Sequence, residues 1–246
     1  MCCFSGNISR VANTRIFARA TGSGTQYLVY QMEYAADNDL AMILPLPTLP
    51  NAPEDAVRFI DLSGYPQFFQ DLAGGFPVSR SLPTLGEPAS QSTLRVQRVG
   101  SFDASFAPSR ADFARLDARF RIADELWDEF PEYHDYGFAV FKLRAAVASD
   151  RHAHTVHPMA FEFPVRDPHL LFFPTVHIHN GKVEANAYFD HDLFCQAHVG
   201  WMRSYDAAQA FMQIKLTQGI VAPDKRVERL TVRGIHPNSD IVLELA

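Results

Sequence analysis

Residues 25–35 read TQYLVYQMEYA, and after a short polar turn residues 39–46 read DLAMILPL. In the first run Leu28, Tyr30, Met32 and Tyr34 fall on one side of an extended chain and Tyr27, Val29, Gln31 and Glu33 on the other, because successive side chains of a strand alternate. An apolar face opposite a mixed one predicts a half-buried strand. TRIFARA at 14–20 precedes it through the turn Gly22-Ser23-Gly24, so the opening third reads as an antiparallel meander.

Working outward, strand pattern returns in TLRVQRVGSFDASFAP (93–108), GFAVFKLRAAVAS (137–149), HPMAFEFP (157–164), LLFFPTVHIH (170–179), KVEANAYFDHDLFC (182–195), VERLTVRGIHP (227–237) and DIVLELA (240–246). Helical signals are short. PEDAVRFIDLS (53–63) begins with a proline and early acids, and YPQFFQDLAGGF (65–76) stops at Gly74-Gly75. Ser109 and Asp112 have capping-box spacing before a helix over 110–118. The acids of 123–137 read as a solvated face. The clearest helix is DAAQAFMQIKL at 206–216, with Ala207, Ala210, Phe211 and Ile214 on one stripe and Asp206 as cap. The expectation is an α+β protein, β-rich, with antiparallel sheets in a sandwich-like arrangement and short inserted helices. Residues 1–246 read as a single domain, with an exposed connection at 77–92, PVSRSLPTLGEPASQS.

Composition bounds the function. The chain has 246 residues, 47% of them hydrophobic, and 22 Lys+Arg against 28 Asp+Glu leave a net charge of -6. That mass of apolar residues supports a sizeable core, and the acidic balance argues against a nucleic-acid partner. No run of apolar residues is long enough to span a membrane, and the opening MCCFSGNISR has no secretory pattern, so a cytoplasmic location is expected. Dinucleotide, Walker A, H-E-x-x-H and G-x-S-x-G signatures are missing.

The strongest chemical signal is histidine. Eight of the ten histidines lie between His152 and His198. His177 and His179, two apart on a predicted strand, present both imidazoles to one side. His191 and Cys195 follow at a helical i,i+4 spacing or across a turn, with Asp190 and Asp192 beside them to orient the ring. Cys2 and Cys3 add thiolates at the amino terminus, and imidazole with thiolate favours copper or zinc. The candidate metal ligands are therefore Cys2, Cys3, His177, His179, His191 and Cys195. His152, His154 and His157 sit in a polar turn and read as an exposed tract.

Several segments together resemble a bacterial protein family of unknown function that opens on cysteines. The residues are Cys2-Cys3-Phe4-Ser5, NTRIFARA (13–20), the aromatic run from Thr25 ending in Leu44-Pro45-Leu46-Pro47, and the later HPMAFEFP and LFFPTVHIHNGKVEANAYFDHD. The resemblance implies architecture, an aromatic β-meander closed by a Leu-Pro-x-Pro signature, and no activity.

Three functions remain open on these residues. The first is a transition-metal protein, with copper or zinc structural or activating water for a small-molecule or peptide substrate. The second is an amino-terminal-nucleophile amidohydrolase in which processed Cys2 attacks, its own α-amine serving as base. The third is a non-catalytic interaction module whose YPQFFQDLAGGF segment and 77–92 connection serve a partner.

Overall fold

The computed structural model describes residues 3–77, 97–99, 102–145 and 154–245. Its strands, in chain order, are β1 (Cys3–Phe4), β2 (Arg10–Ala20), β3 (Thr25–Ala35), β4 (Leu40–Leu46), β5 (Arg58–Asp61), β6 (Gln97–Val99), β7 (Phe102–Ala107), β8 (Gly137–Leu143), β9 (His154–Thr155), β10 (Met159–Pro164), β11 (Leu170–Phe173), β12 (Asn186–Cys195), β13 (Met202–Arg203), β14 (Glu228–Pro237) and β15 (Ile241–Glu244). Among the described residues two short α-helices occur, α1 (Phe68–Gly74) and α2 (Asp124–Trp127), with several 3-10 turns between them and after them. The protein is β-rich.

Five strands form one sheet in the order β1-β4-β8-β7-β6. A larger sheet runs β13-β14-β12-β2-β3-β10-β5, with β9 added beside β3, and β11 pairs with β15 separately. Pairing is antiparallel except between β12 and β2, where His191 lies opposite Thr14 and Cys195 opposite Ala18 in parallel register. A bulge interrupts β2 against β3 between Ala12 and Arg15, where Asn13 takes φ 51°. Asparagine tolerates this left-handed geometry better than most residues.

The largest core draws on both sheets: Met42, Leu44, Phe106 and Phe141 from the smaller, Ile16, Leu28, Tyr30, Met32, Phe161 and Leu193 from the larger. A second core covers the opposite side of the large sheet, where Phe17, Val29 and Phe194 meet Phe68, Phe69 and Leu72 of α1 together with Met212 and Ile220. This corrects the half-buried expectation for 25–35. Leu28 and Tyr30 enter the first core and Val29 the second, and all three are fully buried. A third core gathers Phe113, Trp127, Phe130, Tyr133 and Phe138 against the outer side of β4 and β8.

Two predicted helices are not formed. Residues 58–61 are instead the edge strand β5, paired with Met159–Glu162. Alternation sends Ile60 into the second core and packs Phe59 against the first. At 206–216 there are two 3-10 turns, Ala208–Ala210 and Ile214–Thr217. The physical reason lies in the backbone donors. Ala208 N–H bonds Lys225 O at 2.9 Å, Gln209 N–H bonds Pro223 O at 3.0 Å, and Gln213 N–H bonds the Tyr65 hydroxyl at 2.9 Å. The Tyr65 bond takes the Gln213 amide, which a continuous helix would give to Gln209 O, while the bonds of Ala208 and Gln209, whose amides a helix starting here leaves free, fix the first turn against Pro223 and Lys225.

The 110–118 signal gives a 3-10 helix over Arg110–Arg115 with the Ser109/Asp112 capping box intact. The Gly75 stop after α1 is also a contact: a Cβ there would lie 2.5 Å from the Phe211 ring. From the 77–92 connection, residues 78–92 lie outside the described residues.

Phe141 joins the two sheets, with its ring 5.6 Å from Phe59 and 5.8 Å from Phe161. Replacing it with Ala removes a fully buried aromatic at the middle of the shared core. A loss of about 3–5 kcal/mol is expected from the transfer and cavity terms, measured by urea unfolding.

Candidate functional site

The site is assembled from three stretches that are remote in sequence. β1 lies along the edge of β4, with Cys3 opposite Ile43, and makes an isolated parallel bridge from Cys3 to Ile178. Phe4 N–H donates to Ile178 O at 3.0 Å. Residues 174–183 are not the strand extension expected from LLFFPTVHIH, since β11 ends at Phe173 ahead of Pro174. They are pinned by side chains. Asp240 accepts from the amides of Thr175 at 2.8 Å and Val176 at 3.1 Å and from the Tyr133 hydroxyl at 2.5 Å. Asn238 accepts from His177 N–H at 2.7 Å and donates to His177 O at 3.0 Å. The chain then reverses through Asn180 and Gly181, at φ 54° and 66°, with His179 and Lys182 bridged across the turn. Asn-Gly is the favoured pair for such a two-residue reversal.

These constraints stack three imidazoles. The His177 ring lies 5.5 Å from His179 at an interplanar angle of 1° and 5.6 Å from His191 at 12°. Phe189 packs on His177 at 4.6 Å and on His191 at 4.9 Å, Phe4 lies 5.4 Å from His179, and His236 meets the Phe189 ring edge-on. His177 and His191 are buried. Asp190 N–H donates to His191 Nδ1 at 3.2 Å, so that nitrogen carries a lone pair and the ring is neutral. Burial drives the pKa of both His177 and His191 far below the usual imidazole value, and the neighbouring imidazoles act in the same direction.

The other candidates fall elsewhere. Cys3 is buried, its thiol 3.9 Å from Val176 O. Cys195 lies in β12, where four residues span about 13 Å, so it stands well apart from His191 and not at helical spacing. Burial pushes its thiol up to about 12, and it is inert. Asp190 and Asp192 do not orient the ring, because neighbours on a strand point to opposite faces. Asp190 pairs with Arg233 at 3.0 Å, and Asp192 accepts from Arg229 at 2.8 Å and Thr231 at 2.7 Å. Cys2 and His152 lie outside the described residues, as does the side chain of His154. His157 is partly buried and hydrogen-bonded to Pro158 O.

The copper or zinc expectation is overturned. Among the described residues no group of three His, Cys, Asp or Glu side chains is placed to hold a metal ion. The three imidazoles lie in near-parallel planes with centroids 5.5–5.6 Å apart and are packed by phenylalanine rings.

No family model matches the sequence, and no curated protein matches it. Among solved structures the fold is similar to that of baculovirus P35, with TM-score 0.55 and 10% identity over 99% of this chain and 99% of that one. A mutated baculovirus P35 after caspase cleavage gives TM-score 0.50 at 9% identity over 96% and 100%. P35 in a caspase-8/P35 complex gives 0.48 at 11% identity over 95% and 96%. At this identity the likeness establishes the fold.

The neutral histidines set a pH dependence. A group whose folded pKa is depressed contributes stability that is complete above its unfolded value, about 6.5 for histidine, and is lost as pH falls below it. Asp240, raised to about 6 by burial, works in the opposite sense and offsets part of the loss. With two histidines titrating, unfolding free energy is expected to fall by about 1–1.5 kcal/mol between about pH 7.5 and 6. Urea titrations at the two pH values measure it, and His191→Gln is expected to remove about half of the histidine contribution.

Proposed function

We propose that the chain is a non-catalytic protein-binding module and that its partner is a cysteine peptidase. The observation that carries this is the end-to-end likeness to baculovirus P35, which spans 99% of both chains and includes a structure taken after caspase cleavage. On this reading the two sheets and their common core are a sandwich that serves as a rigid platform, and rigidity lowers the entropy cost of engaging a partner.

The α1 segment belongs to that platform and not to the contact. Phe68, Phe69 and Leu72 of YPQFFQDLAGGF are buried in the second core, which corrects the expectation that this stretch is offered to a partner. The 77–92 connection keeps that role in the proposal. Its composition, rich in Pro and Ser, suits an extended peptide ligand. No aspartate occurs between Asp71 and Asp103, so an aspartate-directed peptidase finds no matching residue in this connection. The test panel therefore also includes cysteine peptidases that cut after basic and after apolar residues.

Each peptidase is incubated with excess purified chain; residual activity on a small fluorogenic peptide and the intact mass of the chain are recorded together. The expected result is stoichiometric loss of activity for at least one member, with the chain retained on it or cut once within 77–92. If every peptidase keeps full activity and the chain is neither cut nor retained, the proposal fails.

A further inference from the structure

The histidine column joins elements of very unequal strength. β12 pairs with β14 over ten residues and with β2 over five, whereas β1 pairs with β4 at only Cys3 and Phe4. Residues 175–177 contribute no ladder of their own and depend on Asn238 and Asp240. Whatever loosens the column therefore acts first on β1 and 174–183, since local opening follows the segments with the fewest backbone hydrogen bonds.

We propose that the stacked imidazoles of His177, His179 and His191 form an acid-sensitive clasp, which on protonation releases β1 and the 174–183 segment while the rest of the large sheet stays paired.

Three features carry this. The His191 Nδ1 lone pair accepts the Asp190 amide at 3.2 Å, and a proton on that nitrogen abolishes the bond. A charge on the buried His177 faces imidazoles at 5.5 and 5.6 Å, and one on the buried His191 faces His177 at 5.6 Å, where repulsion is weakly screened. The guanidinium of Arg233 donates to His191 O, adding a fixed positive charge from β14. Around the column, Phe4 packs on His179 and Phe189 on His177 and His191, Thr14 of β2 lies opposite His191 in register, Arg233 of β14 donates to His191 O, His236 of β14 meets the Phe189 ring, Cys3 of β1 bridges Ile178, and Asp240 binds the backbone of Thr175 and Val176. The nearest carboxylates along the chain, Asp190 and Asp192, are engaged by Arg233, Arg229 and Thr231. The lowered pKa of His177 and His191 is consistent with a column that folds neutral and resists charging until it opens. Opening would expose the buried Cys3 thiol, so acid would control access to it. The inference is independent of the peptidase proposal.

Hydrogen exchange with mass-spectrometric readout tests it on the intact chain at about pH 7.5 and 5.5, with rates corrected for the intrinsic pH dependence of exchange. Peptides covering 3–9 and 174–183 are expected to exchange about tenfold faster at the lower pH, with those from β2, β3 and β10 unchanged within about twofold. The variant carrying both His177→Gln and His191→Gln is expected to lose this difference. Should that variant not fold, ring-proton NMR of the natural chain decides: the His177 and His191 signals must titrate over the pH range in which the two segments open. The proposal is overturned if the two segments stay protected at the lower pH, if all peptides lose protection together, if the folded variant keeps the difference, or if the rings remain neutral while the segments open.

Discussion

Burial of the large sheet on both faces is the constraint on which the rest of the molecule depends. β2, β3 and β12 lie side by side at its centre. Their alternate side chains enter two separate cores, Ile16, Leu28, Tyr30 and Leu193 on one side and Phe17, Val29 and Phe194 on the other. A sheet covered twice needs two lids. The five-stranded sheet shares the first core; the second is closed by α1 with the turns of 204–223. Those turns give amides to Pro223, Lys225 and Tyr65, and the Tyr65 hydroxyl takes the Gln213 donor from the middle of the expected helix.

The same arrangement creates the histidine seam. The parallel pairing of β12 with β2 sets His191 beside Thr14, close to where the chain has just left β1. The smaller sheet holds β1 through β4, and the 174–183 segment runs between them, linked to β1 by the Cys3 to Ile178 bridge. Asp240 and Asn238, between β14 and β15, lock that segment by hydrogen bonds to its backbone. Neither residue has a signal in its local sequence, because each acts on chain more than sixty residues away. Asn180-Gly181 did carry one: the pair marks a two-residue reversal, and it ends the strand pattern read through His179.

The site shows how residue type and geometry can diverge. Clustered histidines near cysteines have the composition of a metal centre, but among the described residues no three such side chains are placed to hold an ion. In the structure the imidazoles pack against Phe189 and Phe4. Cys195 illustrates the same difference, since a strand separates residues that a helix of the same spacing would bring together.

By itself the sequence determined the strand-forming segments, the β-rich class and the proximity of His177 to His179, because these follow from alternation and β-branched or aromatic content over a few residues. β3, β4, β10, β12 and β14 are legible in this way. Only the tertiary structure decided the second covered face of β3, the strand at Arg58–Asp61, the loss of the 206–216 helix and the meeting of β1 with His177 and His191. Each of these depends on partners far along the chain, and a backbone amide or an apolar face goes to the neighbour that folding brings to it, which local periodicity does not encode.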